Sequence, residues 1–292
     1  MMRAMNACSA FETMPAVPEF PDLSAHFRAF AAYARTFYTG EADHDFHLDL
    51  KVEHSRNVFH YAVTLAEQEA DFCDGTFGNP VGPPAVRRRA LLLAALYHDF
   101  GRFRQYHMYG TFSDAQSVNH ARLGVREVKR GGVLDREALR VRHLALAGIA
   151  LHNRFAVPAS LGAHDADARA VANAVRDADK LDIMRIMAGH LTGEGPVDPV
   201  IALHAENSPR ATPAILEAVT ARRLGAYADL ATTTDFKLLV CGWLYDLNYP
   251  LSRRLAAREG HLTALLESLP RTEQLAAFAA RFRQELALHA HG

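Results

Sequence analysis

The 292-residue sequence predicts an all-α protein, and three observations carry that prediction. Apolar residues recur at helical spacing through most of the chain. No stretch sustains the apolar/polar alternation and β-branched enrichment of a half-buried strand. Glycine and proline gather in a few segments, chiefly "DGTFGNPVGPP" (74–84) and "GHLTGEGPVDP" (189–199), which separate the periodic runs.

Taken in order, residues 1–22 hold three prolines and little periodicity, which predicts a loose leader. The first helix follows as "SAHFRAFAAYARTFY". From Val52 to about Asp71 apolar positions repeat at helical spacing, and after the loop at 74–84 comes a buried helix, "AVRRRALLLAALYHDF". Further helices are expected at about 115–130, 136–152 and 166–189. "TFSDAQS" (111–117) offers Asp114 or Ser113 as the N-cap of the first of these. The segment at 189–199 predicts a boundary, giving a domain over 23–190 and a helical extension over 191–292 packed on it. In the extension, helices are expected at about 212–229, 235–247 and 271–288. The second begins at "TTTDF", where Thr and Asp suit an N-cap, and stops at Pro250.

Composition narrows the function classes. With 49% hydrophobic and 22% charged residues the chain is globular rather than disordered or collagen-like. Lys+Arg 32 against Asp+Glu 33 leaves a net charge of -1, so nothing draws the whole molecule to nucleic acid or to an anionic membrane, and any anion site must be local. Cys8, Cys73 and Cys241 lie far apart with no C-x-x-C pair, as in a reducing compartment. No run has the length of a signal-peptide core or a membrane span, so a cytoplasmic location is expected. The 16 histidines prompt a search for metal ligands.

Several polar residues sit on apolar helix faces, where positions i, i+3, i+4 and i+7 share a side. His54 aligns with Val58, Tyr61 and Leu65. His98 shares a face with Leu91, Ala94 and Ala95, and Asp99 follows Leu92, Ala95 and Leu96. His152 lies under Ala145, Gly148 and Ile149, and Asp179 is in register with Ala172, Val175, Ile183 and Ile186. His120 is less clearly placed, since Leu123 and Gly124 are followed by Glu127. Four histidines and two carboxylates pointing inward make a poor core unless a cation joins them. Imidazole with carboxylate suits Mn, Fe, Co or Zn. Six ligands exceed the usual set for one catalytic ion, so two ions per chain are expected, with Asp99 bridging them and a shared hydroxide as nucleophile. "RDADKLD" leaves Asp177 as the other choice for the last ligand, about 200° away around the helix.

These residues resemble the HD-domain superfamily of metal-dependent phosphohydrolases, a helical fold named for its His-Asp pair. "KVEHSRNV" is similar to the first motif, "LYHDFGRF" to the second and "RDADKLDI" to the last, and the resemblance favours Asp179 as the ligand. His120 in "SVNHARLG" and His152 in "ALHNRF" resemble the two-metal branch, which includes cyclic-dinucleotide phosphodiesterases and a few iron-dependent oxygenases. "WLYDLNYPLS" resembles the C-terminal extension of uncharacterised bacterial HD proteins. The sequence departs from the cyclic-dinucleotide phosphodiesterases in having Arg102 where they have Lys, and in lacking a Gly-Tyr-Pro motif.

The resemblance implies hydrolysis of a phosphoester in a nucleotide or small phosphorylated metabolite by metal-bound hydroxide. Asp99 would bridge the ions and Arg102 would steady the phosphate, with Gly101 and Arg102 opening the helix end to substrate. Lys51, Arg104, Gln105, Arg122 and Arg154 are further candidates to contact phosphate. The alternatives are a di-iron oxygenase on the same six ligands, and a nucleotide-sensing module without turnover. Neither a membrane nor an extended nucleic-acid surface is expected as a partner.

Overall fold

The computed structural model describes residues 21–73, 82–193 and 195–291, so most of the expected leader and of the loop at 74–84 lies outside the described residues. The fold is all-α: among the described residues the only β-type pairing is an isolated bridge between Glu206 and Thr232. No helix among them is long and apolar enough to cross a membrane. The chain forms two compact units, Met1–Asp179 and Lys180–Gly292.

In the first unit, α1 (Ser24–Arg35) and α2 (Ala42–Gln68) precede a short α3 (Ala70–Cys73). The second of these starts ten residues before the expected Val52 and places His54 near its middle. Next comes α4 (Pro84–Tyr97), opened by a proline in its first turn, where the missing N–H costs nothing. The apolar run through Phe100 is not one helix. It breaks at His98 and Asp99, and α5 (Phe100–Tyr109) follows at once. Phe30 of α1 packs on Tyr97, Phe100 and Phe103 and fixes this junction in the core.

The helix expected from about 115 begins at His120 as α6 (His120–Arg130). Its N-cap is Asn119, whose side chain accepts from the Arg122 N–H at 2.9 Å; neither Asp114 nor Ser113 fills that role. The Asp114 carboxylate is turned instead to the His120 imidazole. α7 (Leu139–Leu151), α8 (Ala159–His164) and α9 (Ala166–Leu191) complete the set, and Asp179 lies on α9.

Glycine sets two close approaches that the site depends on. A Cβ on Gly148 would lie 2.8 Å from Ala94 Cβ, so α7 can rest directly on α4. A Cβ on Gly101 would lie 2.3 Å from the His120 carbonyl oxygen and 2.5 Å from the Gly124 nitrogen. Gly101 therefore seats α5 against α6, and it is buried between helices rather than opening the helix end.

The second unit contains α10 (Pro213–Thr220), α11 (Thr233–Gly242), α12 (Pro250–Arg258), α13 (His261–Glu267) and α14 (Glu273–His291). α10 is shorter than the expected 212–229. Arg222 takes a positive φ of 57°, and the Arg223 N–H bonds back to the Ala218 carbonyl, closing the helix end. α11 starts as expected, with Thr232 and Asp235 forming a reciprocal capping box. Pro250 stands in the first turn of α12 and opens it, whereas α11 ends at Gly242 and a 3-10 turn over Trp243–Asp246 carries the helical path to close to the expected end. Phe236, Leu239, Trp243, Phe278 and Phe282 are among the core residues of this unit.

Candidate metal centre

The break between α4 and α5 presents two adjacent residues to one interior point. His98 closes one helix and Asp99, at φ -97° and ψ 16°, precedes the next. Both are buried. His54 from the middle of α2, His120 from the first turn of α6, His152 from the end of α7 and Asp179 from α9 meet them there. All six side chains offer ligand atoms in three overlapping groups: His54 with His98 and Asp99, His98 with His152 and Asp179, and Asp99 with His120 and His152. Asp177, the other choice in "RDADKLD", is buried but belongs to none of these groups.

The two oxygens of Asp99 face different partners. Oδ2 lies 3.5 Å from His54 Nε2 and 3.7 Å from His98 Nε2, whereas Oδ1 lies 3.4 Å from His120 Nε2 and 3.7 Å from His152 Nε2. Asp179 joins the first side, with its Oδ1 3.1 Å from His54 Nε2 and 3.6 Å from His98 Nε2. Around Asp99 the six side chains thus lie on two sides that share this carboxylate, and the group of His98, His152 and Asp179 also links the two.

Hydrogen bonding on the far side of the rings shows that a cation fits this donor set. His98 Nδ1 is 2.8 Å from the Ala95 carbonyl oxygen and His152 Nδ1 is 2.8 Å from that of Ile149. A carbonyl can only accept, so each Nδ1 carries the proton. His120 Nδ1 donates likewise to Asp114, at 2.7 and 2.8 Å from its two oxygens. Burial first, then the nearby Arg102 charge, pushes the His120 imidazole down to about 3, so it stays neutral. His120 Nε2 and His152 Nε2 face each other at 2.9 Å, both turned to the interior point, where a single cation can take both. A ligating imidazole fixed by a carboxylate or carbonyl on its other nitrogen is the usual arrangement at metal sites.

Neighbouring donors hold the carboxylates ionised. Burial alone would raise the Asp99 carboxyl, but Lys51, His98 and Arg102 hold it well below the usual range. Lys51 Nζ sits 2.8 Å from Asp99 Oδ2, and Arg102 Nε sits 3.4 Å from Oδ1. Asp179 is likewise lowered against its burial by hydrogen bonds with His54 and His98. Lys51 and Arg102 also flank the Phe112 ring, at 5.0 and 5.9 Å from its centroid.

The guanidinium of Arg102, expected to reach for substrate, is engaged within the fold. Its terminal nitrogen donates to Gln105 Oε1 at 2.8 Å, to Asp114 Oδ1 at 3.1 Å and to the Phe112 carbonyl. Gln105 is fully used by Asp114, Ser117 and the Val118 carbonyl. Arg104 pairs with Glu127 at 3.6 Å, while Arg122 and Arg154 are exposed. The two other His-Asp dipeptides serve structure. Asp45 of His44-Asp45 accepts from the Thr39 and Gly40 N–H groups, and Asp165 of His164-Asp165 pairs with Arg140.

Sequence reasoning missed the central place of Asp114. Besides His120 and Arg102, its oxygens accept from Gln105 Nε2 at 2.9 Å and Asn153 Nδ2 at 3.0 Å. Asp114 lies in a loop, where helical periodicity gives no signal. Its only sequence cue is a position six residues before a candidate ligand.

A helical unit whose interior gathers four histidines and two aspartates in overlapping ligand groups defines a metal-binding α-helical domain. Residues 52–184 match the family model described as HD domain, and this part of the chain is an HD domain. That places it in a superfamily made up mostly of metal-dependent phosphohydrolases. No curated protein and no solved structure matches the chain.

Proposed function

We propose that this protein is a metal-dependent phosphohydrolase that cleaves a phosphoester of a nucleotide or another small phosphorylated metabolite. The observation that carries the reading is the division of the site by Asp99, whose two oxygens each face a separate pair of imidazoles. His54, His98, Asp179 and Asp99 Oδ2 would hold one divalent ion. His120, His152 and Asp99 Oδ1 would hold a second, with Mn, Fe, Co or Zn suited to this mixture of nitrogen and oxygen. Ions bound there supply water activation near neutral pH and offset charge on the phosphoryl oxygens.

The chain's own residues keep that site in order. Lys51 and Arg102 fix the two Asp99 oxygens in opposite directions and keep the carboxylate ionised. The backbone carbonyls of Ala95 and Ile149 hold the His98 and His152 rings with Nε2 facing inward. Arg102, engaged by Asp99, Asp114 and Gln105, acts on the carboxylates; contact with a substrate phosphate would require it to release one of these partners.

The test is element-resolved metal content together with hydrolysis of p-nitrophenyl phosphate and bis(p-nitrophenyl) phosphate, for wild type and Asp99→Ala. The expected outcome is about two transition-metal ions per wild-type chain, chelator-sensitive hydrolysis, and loss of both in the variant. Full activity and full metal content in Asp99→Ala would overturn the mechanism. An iron-loaded protein that turns over only with dioxygen would overturn the hydrolytic reading.

A further inference from the structure

We propose that Asp114 is the positioning residue that decides whether the second ion, the one between His120 and His152, is held. This rests on the two-ion reading above.

The two halves of the site are supported differently. In the first, His98 is fixed by a backbone carbonyl of its own helix, and His54, His98 and Asp179 all come from helices of the buried core. In the second, His152 has the same backbone support, but His120 does not. His120 stands at the first position of α6, where no preceding helical turn can receive its Nδ1–H. Its Nδ1 is served by Asp114, which also accepts from the His120 backbone N–H at 3.3 Å. One loop carboxylate thus holds both ends of the residue.

Asp114 is itself held on several sides. Arg102 and Gln105 donate to it from α5 and Asn153 from the loop after α7, so its position is set by two separate segments. Asn153 directly follows His152, which ties the supports of the two second-half imidazoles together. The carboxylate fixes the His120 tautomer with Nε2 free to bind and raises the basicity of that nitrogen. Without it, the Nδ1–H has no strong acceptor and the ring can turn about its bonds.

The test is metal binding by calorimetry with Mn(II) alone, and Mn(II) paramagnetic resonance, on chelator-treated wild type, Asp114→Ala and Asp114→Asn. Wild type is expected to bind two ions and to show an exchange-coupled pair. Asp114→Ala is expected to keep the tighter ion unchanged while affinity for the weaker one falls by about 10–100-fold, the usual range for a lost partner of a ligating imidazole. The coupled signal should give way to that of an isolated ion. Asn retains one oxygen acceptor for Nδ1–H, so Asp114→Asn should recover part of the loss, which a merely steric role would not produce.

If Asp114→Ala lowers both affinities equally, or leaves both unchanged with the coupled signal intact, the assignment is wrong while the two-ion reading stands. A wild type that never takes more than one ion overturns both. Should Asp114→Ala fail to fold, Asn153→Ala, which removes a single donor to Asp114, should weaken the second ion selectively, and equal effects on both ions would refute the idea.

Discussion

Replacing Gly101 by alanine tests whether the close seating of α5 on α6 holds the site together. The added Cβ would stand 2.3 Å from the His120 carbonyl oxygen, 2.5 Å from the Gly124 nitrogen and 3.1 Å from Gly124 Cα. All three opposing atoms are backbone, so no side chain can rotate away. Relief to an ordinary contact of about 3.5 Å requires a shift on the order of 1 Å. Overpacking of this kind costs about 3 kcal/mol at the upper end of its usual range. Alanine's better helix propensity returns at most about 1 kcal/mol. The net loss is about 2 kcal/mol or more, a fall in Tm of roughly 4–8 °C. The shift also carries His120 away from Asp99, so metal content should drop with stability. Gly124→Ala is the control from the opposite side of the same contact. There the new Cβ would meet Gly101 N at 3.3 Å and the His98 oxygen at 3.6 Å, which a displacement of a few tenths of an ångström accommodates. Calorimetric melting of chelator-treated protein and element analysis of untreated protein read both effects. A Gly101→Ala variant within about 0.5 kcal/mol of wild type, or a Gly124→Ala variant equally damaged, would refute the reasoning.

Two further outcomes follow from buried polar groups. His26, His98 and His120 are all lowered, each chiefly by burial, so below about pH 6.5 the unfolded chain takes up protons that the folded one refuses. Metal-free protein should therefore keep this stability above about pH 6.5 and lose it steadily as it is acidified from about pH 6.5 to about pH 4.5; a flat denaturant-midpoint profile over that range would contradict this. In the second unit, buried Asp235 accepts from Thr212 N, Thr212 Oγ1, Ala231 N and Thr232 N. Removing it leaves several donors without an acceptor, so Asp235→Ala should cost about 2–4 kcal/mol in urea unfolding, against about 1 kcal/mol for Thr232→Ala. Equal effects of the two substitutions would count against that account.

The parts of the site that could be read from the sequence are those carried on helix faces. His54, His98, Asp99, His152 and Asp179 each align with apolar residues one and two turns away, and the fold brings their ligand atoms together. His120 was harder because it opens its helix and has no preceding turn to align with. Asp114 was invisible as a support because loop carboxylates follow no period, and a cap was the ordinary reading of "TFSDAQS". Lys51 was visible as a charge near a motif, but its pairing with Asp99, 48 residues away, depends on how two helices cross. Gly101 invited a reading as an opening because glycine has no side chain. That same lack serves here to let two backbones touch. In the second unit, Pro250 could end one helix or begin another, and only the chain path decides between these.

The inward-facing Nε2 atoms of His120 and His152, 2.9 Å apart, also bear on how the whole fold responds to its surroundings. An ion held between them would be held only while the chain is folded, because the two residues are 32 positions apart and meet only in the fold. Folding and loading are then one linked equilibrium, in which an ion at a thousand times its dissociation constant adds about 4 kcal/mol to stability. On the metal-binding reading proposed above, the melting temperature of this protein would become a gauge of the metal available around it, rising and falling with supply even where no substrate is present.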